Sequence, residues 1–593
     1  MKVLTKYKSL TELFKLMMGK NTFTTIVWVI LSISVGIVPS LGIILNRNLI
    51  NSLSNINSIN DVFYTKSIKY LIYIAVMNLL LELLNRWIEY LYLKNKASVS
   101  LFLEKNLYKK ILGYSLDKFE CHNTYNKIIL ATQGINMNSL DMLKISINMI
   151  SNMLSLISIF IVLSTISIAL PISLIIAAVP SSIIIIFLKK YRYKIRLILL
   201  ECLRKTQYLS SLFVDKRALK EIRIFFLAKH LLNSWQEKKI ELIDAELKVN
   251  IKENKIQLLG STIIQCCITL LSIYIVNMMS INKITIGDYV SLISAMTLFQ
   301  STLGLLSQNG GTLYEMKIYL DAMIAVLNEV DNKEMLSKEI NNNIRFESLI
   351  LKNISYKYPQ SDQEILQDIN LEINKGDKIA IVGYNGSGKT TLVKLLLGIY
   401  ESYQGNITFN GKNIKDKEQM NMFRRVVSCV LQDFVKYNLT LRENIALGKI
   451  EDINNDKKIV EMLGKVDLSK KYVDMLDEMI SVEYREGFEL SGGEWQKIAL
   501  ARAIMSDADL IIMDEPTSSL DPVAEMNFLD YFNEQLINKT SILVSHRLGI
   551  SRHCNKIIVM DDGKIVEIGS HDELMEKSGL YKTLFELQAS KYV

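Results

Sequence analysis

The sequence predicts a multi-domain membrane protein, with an all-α half of six membrane-spanning helices followed by an α/β half built on a parallel sheet. Three observations carry that prediction. Long uncharged apolar runs fill much of residues 21–314. A glycine-rich loop, Gly383–Thr390, joins an apolar strand to an apolar helix. A second apolar strand, Leu510–Met513, ends in two acids, Asp514 and Glu515. The whole-chain averages blur the split, because 49% hydrophobic residues and a mean hydropathy of +0.20 stand beside 22% charged residues. Each half is long enough to bury its own core.

A spanning helix needs about 20 predominantly apolar residues. Residues 1–20 read as an N-terminal cytoplasmic segment bearing Lys2, Lys6, Lys8, Lys15 and Lys20. Spans are expected at about 21–46, 70–92, 145–165, 168–188, 256–282 and 287–314, in a membrane half covering 21–325. The run 145–188 holds no charge over 44 residues, too long for one span and right for two, with a tight turn before Pro171. Residues 326–344 read as a linker and 345–593 as the α/β half. Six spans put both termini on one side, and the N-terminal lysines make that side cytoplasmic. The long charged connections 93–144 and 189–255 then lie in the cytoplasm, where their helical periodicity extends the spans. The first apolar run is too long for a signal-peptide core and lacks a cleavage site after it, so no cleavable signal is expected.

Span two carries Glu82, Arg86 and Glu89. Charge inside a membrane is costly and faces a cavity or a partner. Two readings stand: a cavity wall that touches cargo, or a Glu82–Arg86 pair, spaced i,i+4, that satisfies itself between helices. Asn78, Gln265, Asn277 and Gln300 are further polar positions for which interhelical hydrogen bonding is the ordinary role. The net charge of +8 is spread rather than striped along one face, which argues against a nucleic-acid partner. The six cysteines show neither a CxxC pair nor metal-ligand spacing.

Chemistry concentrates in the second half. Strand Lys378–Val382 runs into Gly383-Tyr-Asn-Gly-Ser-Gly-Lys389-Thr390, the G-x-x-x-x-G-K-[ST] spacing, ahead of the apolar helix Thr391–Leu397. Glycines there let backbone amides curl around phosphates. The cradle comprises Gly383, Asn385, Gly386, Ser387, Gly388, Lys389, Thr390 and Thr391. Lys389 reaches the β- and γ-phosphates, the Thr390 hydroxyl ligates Mg²⁺, and the helix N-terminus adds positive potential. By itself this loop indicates any P-loop NTPase. Asp514 closes a buried strand and is expected to hold Mg²⁺, with Glu515 polarising the attacking water. Between these lies Leu490-Ser-Gly-Gly-Glu494, where Ser491 is a plausible N-cap and Gly492 and Gly493 expose amides at a helix start. Two phosphate-binding ends about 100 residues apart suggest a nucleotide shared between two subunits.

With these residues in place, the chain resembles the ATP-binding cassette (ABC) transporters. Leu490–Glu494 is similar to their signature motif, with Glu494 where glutamine is usual. The resemblance implies that Tyr358, 25 residues before Gly383, stacks on adenine. It implies that Gln432 in Val430-Leu-Gln-Asp reaches Mg²⁺ and that Ser519-Leu-Asp521 is the D-loop. His546 in Val544-Ser-His-Arg resembles the switch histidine on the γ-phosphate. Glu483–Gly487 matches the exporter X-loop only loosely. Catalytic roles would fall to Glu515, His546 and Lys389, metal ligation to Thr390, Gln432 and Asp514, and the cofactors would be ATP and Mg²⁺. No catalytic position is crippled, which favours a homodimer with two working sites.

Six spans ahead of one cassette resembles the half-transporter exporters, implying a type I ABC exporter fold in a cell membrane, of bacterial kind, over essentially the whole chain. Phe119–Asn126 is similar to the first coupling helix and Lys220–Phe225 to the region of the second. Leu431–Ile445, Trp495–Arg502 and Asp521–Glu525 resemble the lantibiotic and related bacteriocin exporters. A ribosomally made peptide cargo is therefore expected. With about 20 residues ahead of span one, no leader-removing protease domain is expected. An exporter of drugs or lipids, moving an amphipathic small molecule, has the same engine. A peptide-sensing resistance protein would hydrolyse ATP without net transport.

Overall fold

The computed structural model describes residues 8–54, 62–136, 140–165, 168–281, 284–329, 344–359, 361–481, 487–517, 525, 539–545 and 547–590. Contacts divide the chain into two compact units: Met1–Ile111 with Asn126–Glu329, and Leu112–Tyr125 with Val330–Val593.

The first unit is helical. The run predicted as span one is broken into Thr22–Ser34, a 3₁₀ turn Val35–Ile37, and Val38–Leu53. Pro39 sits in the first turn of the second piece and brings no N–H to the ladder, so the helix bends there. Gly36 permits a close approach at the same point, since a Cβ on it would meet the Ser151 carbonyl oxygen at 2.3 Å. The other predicted spans fall on Val62–Leu112, Asp141–Ser164, Ala169–Leu212, Ala228–Ser280 and Ile286–Asn328. Among the described residues, five helical stretches are long and apolar enough to cross a membrane: Thr22–Leu53, Val62–Leu112, Asp141–Ser164, Ala228–Ser280 and Ile286–Asn328. A helix the length of Val62–Leu112 spans about 75 Å against a hydrocarbon core of about 30 Å. Most of it must project beyond the bilayer.

Ile286–Asn328 packs on Asp141–Ser164, Ala169–Leu212 and Val38–Leu53, and Ala228–Ser280 runs along Ala169–Leu212. Their shared core includes Ile43, Ile159, Leu163, Leu174, Ile268, Met296 and Phe299. Thr285 and Asp288 form a capping box at the start of Ile286–Asn328, and Arg47 pairs with Asp288 at 2.5 Å. In span two, Arg86 meets Glu82 at 3.3 Å with both side chains exposed. Glu89 instead pairs with Lys144, at 2.7 Å.

The second unit is α/β. Four strands, β1 (Ser348–Tyr356), β2 (Leu366–Asn374), β4 (Gln404–Phe409) and β5 (Lys412–Asn413), form an antiparallel sheet in the order β2-β1-β4-β5. Six more strands are β3 (Lys378–Gly383), β6 (Val427–Val430), β7 (Leu510–Asp514), β8 (Thr540–Val544), β9 (Lys556–Asp561) and β10 (Lys564–Gly569). They form a second sheet in the order β10-β9-β3-β8-β7-β6. All run parallel except β10. Every residue of β7 and β8 is buried, as expected of parallel strands covered on both faces. The short helix Leu116–Glu120, from the connection between spans two and three, belongs to this unit.

Candidate nucleotide site

Parallel strands align their carboxyl ends, and that edge is where ligands of open α/β sheets sit. Here β3 ends in Gly383, β7 in Asp514, and β6 two residues before Gln432. Pairing of Asp514 with Val544 and of Met513 with Val430 brings these ends alongside one another.

The loop Gly383–Gly388 curls tightly. Gly383 has φ +149°, and a Cβ there would lie 2.1 Å from the Met560 carbonyl oxygen, so only glycine fits. Helix Lys389–Leu396 begins without a side-chain cap, leaving its first amides to a ligand. Lys389 is buried and folds back to donate to the carbonyl oxygens of Gly383 (3.0 Å) and Tyr384 (2.6 Å). Burial lowers its pKa, opposed by the charges of Glu515 and Asp514. Asn385, Gly386 and Thr390 are exposed, while Ser387, Gly388 and Thr391 are buried. Tyr358 is half-buried, and its hydroxyl lies 3.1 Å from that of Thr391.

Glu515 has φ +51°, left-handed backbone that a non-glycine residue adopts at a cost of order 1–3 kcal/mol. The Glu515 N–H donates to the Val544 carbonyl (2.9 Å), and the Gln496 amide donates to the Glu515 carbonyl (3.2 Å). Gln432 donates to the Glu515 carboxylate at 3.1 Å. Asp514 is buried beside it. Asp514, Thr390 and Gln432 together offer a carboxylate, a hydroxyl and an amide oxygen. That hard-oxygen set fits Mg²⁺ completed by substrate phosphates rather than a protein cage. Among the described residues, no group of three or more His, Cys, Asp or Glu stands together as a metal site.

Ser491, Gly492 and Gly493 stand elsewhere, at the head of helix Gly492–Met505. Ser491 and Glu494 form a full capping box there. The Ser491 hydroxyl accepts from the Glu494 amide, and the Ser491 amide donates to the Glu494 carboxylate. Lys471 (2.7 Å) and Tyr472 (2.8 Å) both donate to Glu494. Burial opposes ionisation of Glu494, but the bonds from Lys471, Ser491 and Tyr472 outweigh it and hold the carboxyl down at about 2. A depressed carboxyl stabilises the fold above its unfolded value and loses that contribution as pH falls through the folded one. The expected outcome is that Glu494→Gln lowers stability by about 1 kcal/mol at pH 7. The deficit against wild type should shrink as pH falls from about 4.5 towards 2, followed by thermal unfolding at matched pH.

Of the residues expected from the sequence, His546, the D-loop Ser519–Asp521 and X-loop residues 483–486 lie outside the described residues. Two arrangements were not anticipated. Asn444 is fully buried and donates to the carbonyls of Tyr437, Leu439 and Thr440, while Arg502 of the Ser491 helix donates to the Asn444 carbonyl and side chain. This ties the stretch after Gln432 to the signature helix. Glu525 joins Thr517 to Arg547, the neighbour of His546. An asparagine among the apolar Leu441, Ile445 and Ala446 is the sequence signal for the first.

The ABC transporter family model matches residues 366–518. The subtilin transport ATP-binding protein SpaT of Bacillus subtilis is 31% identical over 583 residues, covering 98% of this chain and 94% of that protein. The nisin transport ATP-binding protein NisT of Lactococcus lactis subsp. lactis is 34% identical over 390 residues, 64% of each chain. An ATP-dependent lipid A-core flippase of Hahella chejuensis is 38% identical over 244 residues, 41% of each. Among solved structures, a bacterial Atm1-family ABC exporter with ATP bound has the same fold, with TM-score 0.74 at 20% identity over 95% of this chain and 98% of that one.

Proposed function

This chain belongs to the ABC transporter family, as a multi-pass exporter that couples ATP hydrolysis to transport, and we propose that its cargo is a lantibiotic-like peptide carried from the cytoplasm to the outside. One observation carries the cargo: the relative that matches along 98% of the chain, membrane half included, is a subtilin transporter. A lipid or multidrug cargo is the second reading, favoured by the similarity to lipid A-core flippases, which for the Hahella protein covers 41% of the chain.

The working unit is a homodimer in the cell membrane, with both termini and the ATPase half cytoplasmic. ATP lies between Gly383–Thr390 of one subunit and Ser491–Gly493 of its partner, with Tyr358 against the base. Lys389 leaves the Gly383 and Tyr384 carbonyls for the β- and γ-phosphates. Asp514, Thr390 and Gln432 would hold Mg²⁺, which supplies charge neutralisation on the phosphates. Glu515 takes the proton of the attacking water, and His546 contacts the γ-phosphate. Catalysis here is positioning and charge stabilisation. Closure around ATP draws the cytoplasmic ends of the spans together and opens the path outward, and hydrolysis resets it.

The test is ATP-driven uptake into inside-out proteoliposomes of purified protein. Uptake of a leader-bearing lantibiotic precursor, dependent on ATP, is the expected result. Flux of lipid or of several unrelated hydrophobic compounds without peptide uptake would replace the cargo. ATP hydrolysis without flux of any of them would mark a sensor.

A further inference from the structure

The base-side tyrosine, Tyr358, does not stand alone. Its ring meets Tyr356 edge-on at 5.3 Å and Tyr400 edge-on at 5.6 Å, and those two rings stack on each other at 5.0 Å. Tyr356 and Tyr400 are fully buried. Both hydroxyls are bound by the helix Leu116–Glu120. Tyr356 donates to Asp117 at 3.1 Å, and Tyr400 donates to Glu120 at 2.8 Å. Asp117 is itself buried, 5% exposed, although it is a carboxylate. Its second oxygen accepts from the Glu401 amide (2.9 Å), the Ser402 amide (3.2 Å) and the Ser402 hydroxyl (3.1 Å). A buried carboxylate is tolerated only when its oxygens are so satisfied. Burial, then the neighbouring carboxylates, push the Tyr356 and Tyr400 hydroxyls well above the usual tyrosine range, so both remain donors at any physiological pH.

The geometry points to Asp117 and Glu120 as positioning residues for the nucleotide base: through Tyr356 and Tyr400 they orient the Tyr358 ring, so that seating of helix Leu116–Glu120 sets the affinity for the base of ATP and not for its phosphates. The inference rests on the reading of Tyr358 as the adenine contact. Phosphate binding uses Lys389 and the Gly383–Gly388 loop at a different strand end, while the cluster meets the helix that follows through the Tyr358 and Thr391 hydroxyls, 3.1 Å apart, and through Lys394 over the Tyr400 ring. Release of the helix from Tyr356 and Tyr400 acts first on the Tyr358 ring and hence on the base side, and binding at the base side favours the seated helix by the same coupling free energy.

The experiment measures equilibrium binding of ATP and, separately, of inorganic tripolyphosphate, which has the phosphates and no base, to the full-length protein. Tyr358→Ala gives the size of the base contribution. Glu120→Gln and the ring-preserving pair Tyr356→Phe with Tyr400→Phe break the network while leaving the aromatic packing in place. Each is expected to weaken ATP about three- to tenfold, the scale of one aromatic contact, with tripolyphosphate affinity unchanged. Equal weakening of both ligands would overturn the inference, since it signals general loosening. So would unchanged ATP affinity in these variants while Tyr358→Ala weakens it. If Tyr358→Ala itself leaves ATP affinity unchanged, the base reading fails and takes the inference with it.

Discussion

Replacing Glu515 by glutamine is expected to abolish ATP turnover while ATP binding persists. Glutamine matches glutamate in size and accepts the same backbone constraints, so the Val544 and Gln496 bonds to residue 515 are kept. What it loses is a basic oxygen. Removal of a positioned general base costs about a hundredfold to ten-thousandfold in rate. Binding draws on other atoms: Lys389, the loop amides and the base contact. Two details of the geometry sharpen the expectation. Glu515 is held in left-handed backbone, which sets the direction in which its side chain leaves the end of β7. Gln432 engages that carboxylate at 3.1 Å, so the proposed Mg²⁺ ligand and the proposed base are in direct contact. The measurement is steady-state ATPase rate beside equilibrium ATP affinity. Wild-type turnover in the variant would remove Glu515 from the role of base.

The difference between what could be read in the sequence and what could not follows the range of the interactions. Lys389, Thr390 and Asp514 could be picked out because each closes or follows a strand whose apolar run is itself legible, whereas Gln432 came from the family resemblance. Ser491 was legible for a similar local reason, a cap residue followed three positions later by Glu494. The long helices were legible as uncharged runs, although the break at Val35–Ile37 was not read, because the close approach at Gly36 depends on the helix Asp141–Ser164 lying against it. Asp117 shows the limit. Its partner Tyr356 is 239 residues away, and no periodicity records which carboxylate a buried hydroxyl will meet. The same holds for Arg502 and Asn444, 58 residues apart. Glu82 pairs within its helix with Arg86, as the i,i+4 spacing allowed, whereas the partner of Glu89, Lys144, could not be read from the sequence. That choice depends on which helix packs alongside.

The largest effect expected from the dimeric site comes from combining two dead proteins. Lys389→Ala removes the ammonium that binds the phosphates, and Ser491→Arg places bulk and a long side chain where the partner's nucleotide would sit. Each homodimer should be inactive, because both of its sites carry the same lesion. In a mixed dimer the arithmetic changes. One site then combines the substituted loop of one chain with the substituted helix of the other and is doubly broken. The other site combines an intact loop with an intact helix. Random pairing should return ATPase activity of about a quarter of wild type if the sites act independently, since a two-fold dimer has two equivalent sites. The control carries both substitutions on one chain, paired with wild-type chain. There, each site of the mixed dimer has one broken half, and no mixed-dimer activity should appear. A site complete within one chain predicts the opposite pattern, silence in the first mixture and activity in the second. The geometry favours sharing for a specific reason. Ser491 is exposed, and Gly492, with nothing within 4 Å of a Cβ placed on it, leaves the helix start bare. Its own chain satisfies Glu494 through Lys471, Tyr472 and the Ser491 amide, which fixes the first turn of the helix. An exposed helix start of this kind is suited to a phosphate supplied by another subunit.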